Sequence, residues 1–268
     1  WLGVNLATLL AGRADLGLAI ASSLLLLLGL VDDKHSISPR LRLLVEAMAG
    51  LIVGASRGKG LASTLLVAAL VVVSVNAVNL LDGLDGLAAL SSLTASIGIG
   101  ALALSRGSSP WFAFAVAAAL AGFLLWNWHP ARLFLGDNGA YVVALFLVYG
   151  IEQASSTVGA LLLGAGLLGV FLVDMAATLL RRRLSSQPLF SRDRLHLYDR
   201  LADRGTPIPL IALWSGALQL GLGLLAVLAD RFFPPPLASV VVLLTGAGVV
   251  LWLVRALGAT QPGYWAGQ

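Results

Sequence analysis

Asn76, Asn79, Asp82 and Asp85 recur at every third position in SVNAVNLLDGLDGLA, Ser74 to Ala88, directly behind an apolar run. On a helix this spacing sets each side chain beside the next along one slanted stripe. Gly83 and Gly86 interrupt the stripe; glycine weakens a regular helix and lets backbone come close to a ligand. Two amides and two carboxylates presented together make an oxygen-rich surface, which suits a hard cation such as Mg²⁺. One such residue alone reads equally well as a helix cap. Four of them behind a membrane-grade apolar run point to function.

Three further segments carry compatible chemistry. In VDDKHSISPRLR, Val31 to Arg42, Asp32 and Asp33 stand side by side at the end of an apolar run. Adjacent carboxylates repel, so the pair predicts a raised pKa on one of them, a bound metal, or neutralisation by Lys34 and Arg40. A solvated interfacial acid pair is the plainer reading, and His35 reads as a surface residue. In WNWHPARLFLGDNGAY, Trp126 to Tyr141, Phe134 precedes Asp137 by three residues while Gly136 and Gly139 bracket the acid. Asp137 could equally cap the helix that follows. His129 reads as a loop residue, and Trp126 and Trp128 fit an interfacial aromatic belt. The segment from Arg181 to Pro207 is dense in arginine. Its Arg181 to Arg183 triplet reads as an orientation signal, whereas Arg194, His196 and Arg200, planar donors opposite an acidic metal site, predict phosphate binding. Asp174, about two turns before Arg181, is expected to pair with that arginine cluster.

The elements that must position these residues are membrane helices. The chain has 268 residues, 59% hydrophobic and 11% charged, with mean hydropathy +0.93; soluble domains usually carry about 25% charge. Spans long enough to cross a bilayer are predicted near 15–31, 41–56, 61–79, 84–104, 111–126, 139–152, 157–180, 208–229 and 237–256. The second, which carries Glu46, and the short sixth are the weakest. The expected fold is an all-α polytopic transmembrane bundle of about nine spans, one integral membrane domain over 1–268. Alternation of the spans puts loops 32–40, 80–83, 127–138 and 181–207 on one side, together with twelve of the seventeen Lys and Arg. The positive-inside rule makes that side cytoplasmic. The opposite loops, with Arg13, Arg57, Lys59, Arg106 and Arg231, read as connectors. The net charge of +4 resides in loops between spans, which excludes nucleic acid as partner and favours anionic lipid and phosphate ligands. With no cysteine, a disulfide framework and a thiolate metal site are both excluded. The chain opens on Trp1 without a basic n-region, so no signal peptide is expected.

Five Asp and two Asn from three distant loops are thus expected on one membrane face, beside an arginine-rich loop. Acids for a cation and Arg for phosphate oxygens are the components of phosphoryl transfer from a nucleotide. An ion-coupled transporter is the alternative, and it would hold its acids near the bilayer midplane, often within internal repeats.

Asp32 and Asp33, NAVNLLDGLDGLA from Asn76, FLGDNG from Phe134 to Gly139 and RDRLHLYDRL from Arg192 to Leu201 together resemble the polyprenyl-phosphate N-acetylhexosamine-1-phosphate transferases. The resemblance covers nearly the whole chain, and NxxNxxDGxDGL is its most specific part. It implies transfer of a sugar 1-phosphate from a UDP-sugar, of the UDP-N-acetylglucosamine type, to a polyprenyl phosphate such as undecaprenyl phosphate. UMP would be released with the help of Mg²⁺, or of Mn²⁺ in its place. The setting implied is the bacterial cytoplasmic membrane with the active site in cytoplasmic loops, at the first membrane step of cell-envelope polysaccharide synthesis. By motif position, Asn79 and Asp137 would be metal ligands, and Asp85 and Phe134 would hold uracil, Phe134 by stacking. Asp32 would act on the lipid phosphate as base, with a covalent aspartyl intermediate as the rival proposal. Asp33 and Asp82 would support these groups. Asn76 would join the substrate-binding residues, with Arg194, His196 and Arg200 toward the sugar pyrophosphate. Family members often carry further histidines where this chain has Tyr198 and Asp199, and Ser where it has Ala140. That departure points to the branch that initiates O-antigen of lipopolysaccharide, or exopolysaccharide, rather than to the peptidoglycan branch. Ten or eleven spans are usual in the family, so two N-terminal helices are expected to be missing here; a homodimer is compatible with the resemblance.

Overall fold

The computed structural model describes residues 1–10, 12–35, 37–184, 186–187 and 196–256, and these contain helices and no strand. In chain order the helices are α1 (Leu2–Leu10), α2 (Leu16–Asp32), α3 (Pro39–Ser56), α4 (Leu61–Leu81), α5 (Leu87–Ser105), α6 (Trp111–Asn127) and α7 (Gly136–Gln153). Then follow α8 (Val158–Ala165), a 3₁₀ turn (Gly166–Leu168), α9 (Gly169–Leu184), α10 (Leu197–Asp203), α11 (Ile208–Phe232) and α12 (Pro235–Ala256). Helices cover every stretch expected to span; α1 is additional, and α10 is the short polar helix of the arginine-rich segment. Among the described residues, four helices are long and apolar enough to cross a membrane: α4, α5, Val158–Arg183 and α11. Helices α2, α6 and Pro235–Val249 are apolar but shorter. In hydrocarbon every backbone N–H and C=O must be satisfied within the segment, which is why such runs fold as helices. Large apolar side chains such as Leu16, Leu61, Leu125, Leu224 and Leu244 face outward, as a lipid-facing surface requires. The protein is an all-helical integral membrane protein.

Helix α7 lies at the centre: every residue from Ala140 to Glu152 is buried, and the helix packs against α2, α4 and α5. Helix α4 packs in turn against α3, α7 and α9, while α11 lies along α5. The two ends of the bundle differ. At one end Arg57 and Lys59 both pair with the buried Glu152. At that same end Arg106 grips Asp230 with two nitrogens at 2.9 and 2.7 Å, and Tyr149 donates to Asp15 at 2.9 Å. The loops expected to be plain connectors are therefore clamped by ion pairs. The acids of the three motifs gather at the other end.

Candidate active site

Helix α2 ends at Asp32, α4 ends at Leu81 just before Asp82, and α7 begins at Gly136. These three ends meet around a cleft of about 600 Å³. Asp32, Asp33 and Lys34 line it from the first loop, Asn79, Asp82 and Asp85 from the α4–α5 turn, and Asn127, Phe134 and Asp137 from the α6–α7 connection. The four-residue stripe divides, because Asn76 and Asn79 ride on α4 whereas Asp82 and Asp85 fall in the turn after it.

Asp32 and Asp33, though adjacent, point to different partners, which relieves their repulsion. Asp32 is buried; its Oδ2 accepts from Tyr141 Oη at 2.7 Å and its Oδ1 from the Ile37 amide at 3.1 Å. Among the described residues it pairs with Arg42, 3.5 Å away, and not with Lys34 and Arg40 as expected. Asp33 instead accepts from the Asp137 amide at 3.0 Å and from Asn138 Nδ2 at 2.6 Å, so it satisfies a donor in the first turn of α7, where helix N–H groups lack intrahelical partners. Asp137 does not cap that helix. Its Oδ1 takes a short hydrogen bond from Asn79 Nδ2, which leaves the amide oxygen of Asn79 and the second carboxylate oxygen of Asp137 with lone pairs for a cation. Gly136 turns the chain here with φ +66°.

Asp85 and Phe134, expected to hold uracil, are organised by His129 and Asn127. Asp85 Oδ2 meets His129 Nδ1 at 2.8 Å and the Ala131 amide at 3.0 Å, so His129 is the partner of an acid and not a bare loop residue. Buried Asn127 accepts from the Gly86 amide and donates to Leu133 O, tying the α4–α5 turn to the loop that presents Phe134. The Phe134 ring is 72% exposed at the rim of the cleft, an open stacking face.

Three expected substrate contacts lie elsewhere. His196 is buried, with Nδ1 2.8 Å from Asp174 Oδ2 and 3.1 Å from Thr178 Oγ1, and its ring stacks on Tyr198 at 5.1 Å. An imidazole between a buried carboxylate and a hydroxyl is a strut between α9 and α10, and His196 does not line the cleft. Among the described residues the same contact gives Asp174 an imidazole partner where an arginine was expected. Tyr198 reaches the motif instead: its hydroxyl donates to Leu80 O at 2.7 Å, and a Cβ on Gly83 would sit 2.2 Å from that oxygen. Arg200 is half-buried on α10 and lines no part of the cleft. Asn76 bonds Glu46 and Arg42, behind the cleft and outside its lining. Arg194 lies outside the described residues.

Two expected outcomes follow from this geometry. Burial, and then the charges of Asp137 and Asp33, push the Asp82 carboxyl up to about 7, against the opposing pull of the Gly136 amide. A carboxyl whose folded pKa exceeds its unfolded value, about 4, favours the fold at low pH and loses that contribution as pH rises through about 7. Without divalent cation, Asp82→Asn should therefore gain thermal stability relative to the parent chain between pH 5 and 8, and melting curves across that range check it. Second, a Cβ on Gly29 would lie 2.2 Å from Asn138 Cα and 2.8 Å from the Asp137 carbonyl carbon. Gly29→Ala must push α2 away from the α7 terminus, separating Asp33 from Asp137. Any turnover at this cleft, measured per folded molecule, should fall about 10-fold, since small displacements of catalytic groups are costly.

The cleft is thus an oxygen-rich site at one end of a bundle of membrane helices, with an exposed ring at its rim. The chain belongs to glycosyl transferase family 4, whose match covers residues 16–152. That stretch runs from α2 nearly to the end of α7 and contains every described residue that lines the cleft. A probable undecaprenyl-phosphate N-acetylglucosaminyl 1-phosphate transferase of Bacillus subtilis is 29% identical over 205 residues, covering 69% of this chain and 57% of the relative. Decaprenyl-phosphate N-acetylglucosaminephosphotransferase of Mycobacterium leprae is 28% identical over 162 residues, 52% of this chain and 39% of the relative. Phospho-N-acetylmuramoyl-pentapeptide-transferase of Moorella thermoacetica is 31% identical over 161 residues, 58% of this chain and 49% of the relative. The matches thus span between 39% and 57% of these relatives.

Proposed function

We propose that the chain transfers a sugar 1-phosphate from a UDP-N-acetylhexosamine to a polyprenyl phosphate, releasing UMP. The observation that carries the reading is the convergence of Asp32, Asn79, Asp85, Phe134 and Asp137, from three separate connections, on one cleft at a helix-end face. A transporter reading fits less well, because these acids stand at helix ends and not within the apolar spans. In the transfer, an oxygen of the lipid phosphate bonds to the phosphorus that carries the sugar, and the bond from that phosphorus to UMP breaks. Asp32, oriented by Tyr141 and Arg42, accepts a proton from or aligns the lipid phosphate. Phe134 stacks on uracil, with Asp85 held beside it by His129. Lys34, on the cleft wall, offers a charge to the phosphates.

Among the described residues no three carboxylate or imidazole groups come close enough to cage a cation on their own. The donor set nevertheless fits Mg²⁺, which commonly takes one or two protein oxygens and completes its shell with water and substrate phosphate. Asn79 and Asp137 would hold it, and bound there it would neutralise charge building on the departing UMP. The arginine-rich loops expected on this face support a cytoplasmic orientation. The sugar is proposed as N-acetylglucosamine, following the names of the first two relatives, with initiation of an envelope polysaccharide such as O-antigen as the role. The test is UMP release from a panel of UDP-sugars with undecaprenyl phosphate, with and without Mg²⁺. Turnover with UDP-N-acetylglucosamine only when both lipid phosphate and Mg²⁺ are present is expected. No UMP release with any member of the panel would overturn the reading.

A further inference from the structure

One buried acid has no part in the chemistry above. Glu46 is 0% exposed on α3, in a stretch apolar enough to be expected as a span. A carboxylate in such a place is costly, and where it persists it has a partner and a task. Asn76 Nδ2 donates to Glu46 Oε2 at 2.7 Å, and Asn76 is itself steadied by donating to Val72 O at 2.8 Å. Arg42, one turn earlier on α3, sets its Nε 3.7 Å from Glu46 Oε1. The other arms of that guanidinium reach Asn76 Oδ1 at 3.4 Å and Asp32 Oδ2 at 3.5 Å. Asp32 Oδ2 also accepts from Tyr141. The groups thus run Glu46, Asn76, Arg42, Asp32, Tyr141 across α3, α4, α2 and α7, from the buried interior to the cleft wall.

Arg42 is held by long contacts to Glu46, Asn76 and Asp32 and not by a close two-pronged fork onto one carboxylate. Its direction therefore depends on what lies behind it. We propose that Glu46 is a positioning residue for the acceptor side of the cleft: with Asn76 it seats Arg42 against Asp32, fixing how the Asp32 carboxylate meets a lipid phosphate. Asn76, expected to touch substrate, acts through Arg42 in this arrangement. The inference rests on the transferase reading and extends it to a residue outside the cleft.

The test is a double-mutant cycle in the whole chain, purified in detergent, with constants expressed per mole of folded, monodisperse protein. The probes are UDP-N-acetylglucosamine and undecaprenyl phosphate, and the variants are Glu46→Met, Glu46→Gln, Arg42→Met and the Arg42→Met, Glu46→Met double variant. Glu46→Met is expected to lower kcat about 10-fold through misplacement of Asp32. It should raise the KM for lipid phosphate and leave the KM for UDP-sugar within about twofold. Glu46→Gln, which still accepts from Asn76, should recover part of the loss. In the Arg42→Met background the same Glu46 substitution should cost less than about twofold, because residues that act through one group are not additive. A purely packing role makes a different forecast: less folded protein, but unchanged constants for what folds. That result, multiplicative losses in the double variant, or an effect confined to the UDP-sugar KM would each overturn the inference while the parent chain still turns over. A parent chain that releases no UMP with any UDP-sugar would overturn the transferase reading and this inference together.

Discussion

Asp137→Asn should lower UMP release at sub-saturating Mg²⁺ by about 10³-fold, since removal of one preorganised charge-stabilising group commonly costs about 10² to 10³ in rate. The substitution keeps the size and shape of the side chain, and an amide oxygen can still accept from Asn79, so the fold at the start of α7 should survive. What disappears is the one anionic oxygen of the proposed Asn79 and Asp137 pair. An ion that takes so few protein ligands has little to replace it with. Raising the Mg²⁺ concentration should recover part of the activity, and a titration of rate against Mg²⁺ reads this directly. A variant that matches the parent at every Mg²⁺ concentration would remove Asp137 from the metal site.

The second large effect is expected at Asp32. Asp32→Asn should cut kcat by about 10² to 10⁴, the range of a positioned base, while binding of the UDP-sugar stays within about twofold. Both carboxylate oxygens already accept: Oδ1 from the Ile37 amide, Oδ2 from Tyr141 and Arg42. An amide cannot accept at both ends, so its NH₂ must face a donor, and a melting curve should accompany the kinetics to separate lost folding from lost turnover. Donor binding that collapses instead would reassign Asp32 to the donor or metal. The rival covalent route has its own signature. Parent protein incubated with labelled donor and no lipid phosphate would then retain labelled phosphate on the chain, and Asp32→Asn would not.

Much of the positional information was legible because the apolar background is so uniform. Where hydrocarbon surrounds a helix, each Asp or Asn carries a cost, so the acids in NAVNLLDGLDGLA, DD and GD stand out as residues retained for a purpose. Glu46 stood out in the same way and weakened the case for a span; its buried pairing with Arg42 and Asn76 shows why the sequence tolerates it. His129 and Asn127 gave no such signal. They sit in a polar connection where His and Asn are ordinary, and their roles toward Asp85 and the α4–α5 turn depend on how α6 ends against α5.

His196, Lys34 and Arg40 were harder to place, for a related reason. A guanidinium or imidazole in an exposed loop costs little anywhere, so its presence says nothing about what it touches. His196 looked like a phosphate donor by its company, yet α10 folds back so that Asp174 and Thr178 enclose it. Lys34 and Arg40 looked nearer to Asp32 along the chain than Arg42, but the first turn of α3 aims Arg42 inward.

By itself, then, the sequence determined that the chain is a set of membrane helices and which residues could carry oxygen-donor chemistry. Both are local matters, decided by whether a run of residues can satisfy its backbone in lipid and by what each polar side chain costs there. Only the tertiary structure decided which of those residues share a cleft and which brace it from behind. That depends on contacts between helices far apart in sequence, such as the close approach of Gly29 on α2 to Asn138 on α7, and no local pattern encodes them.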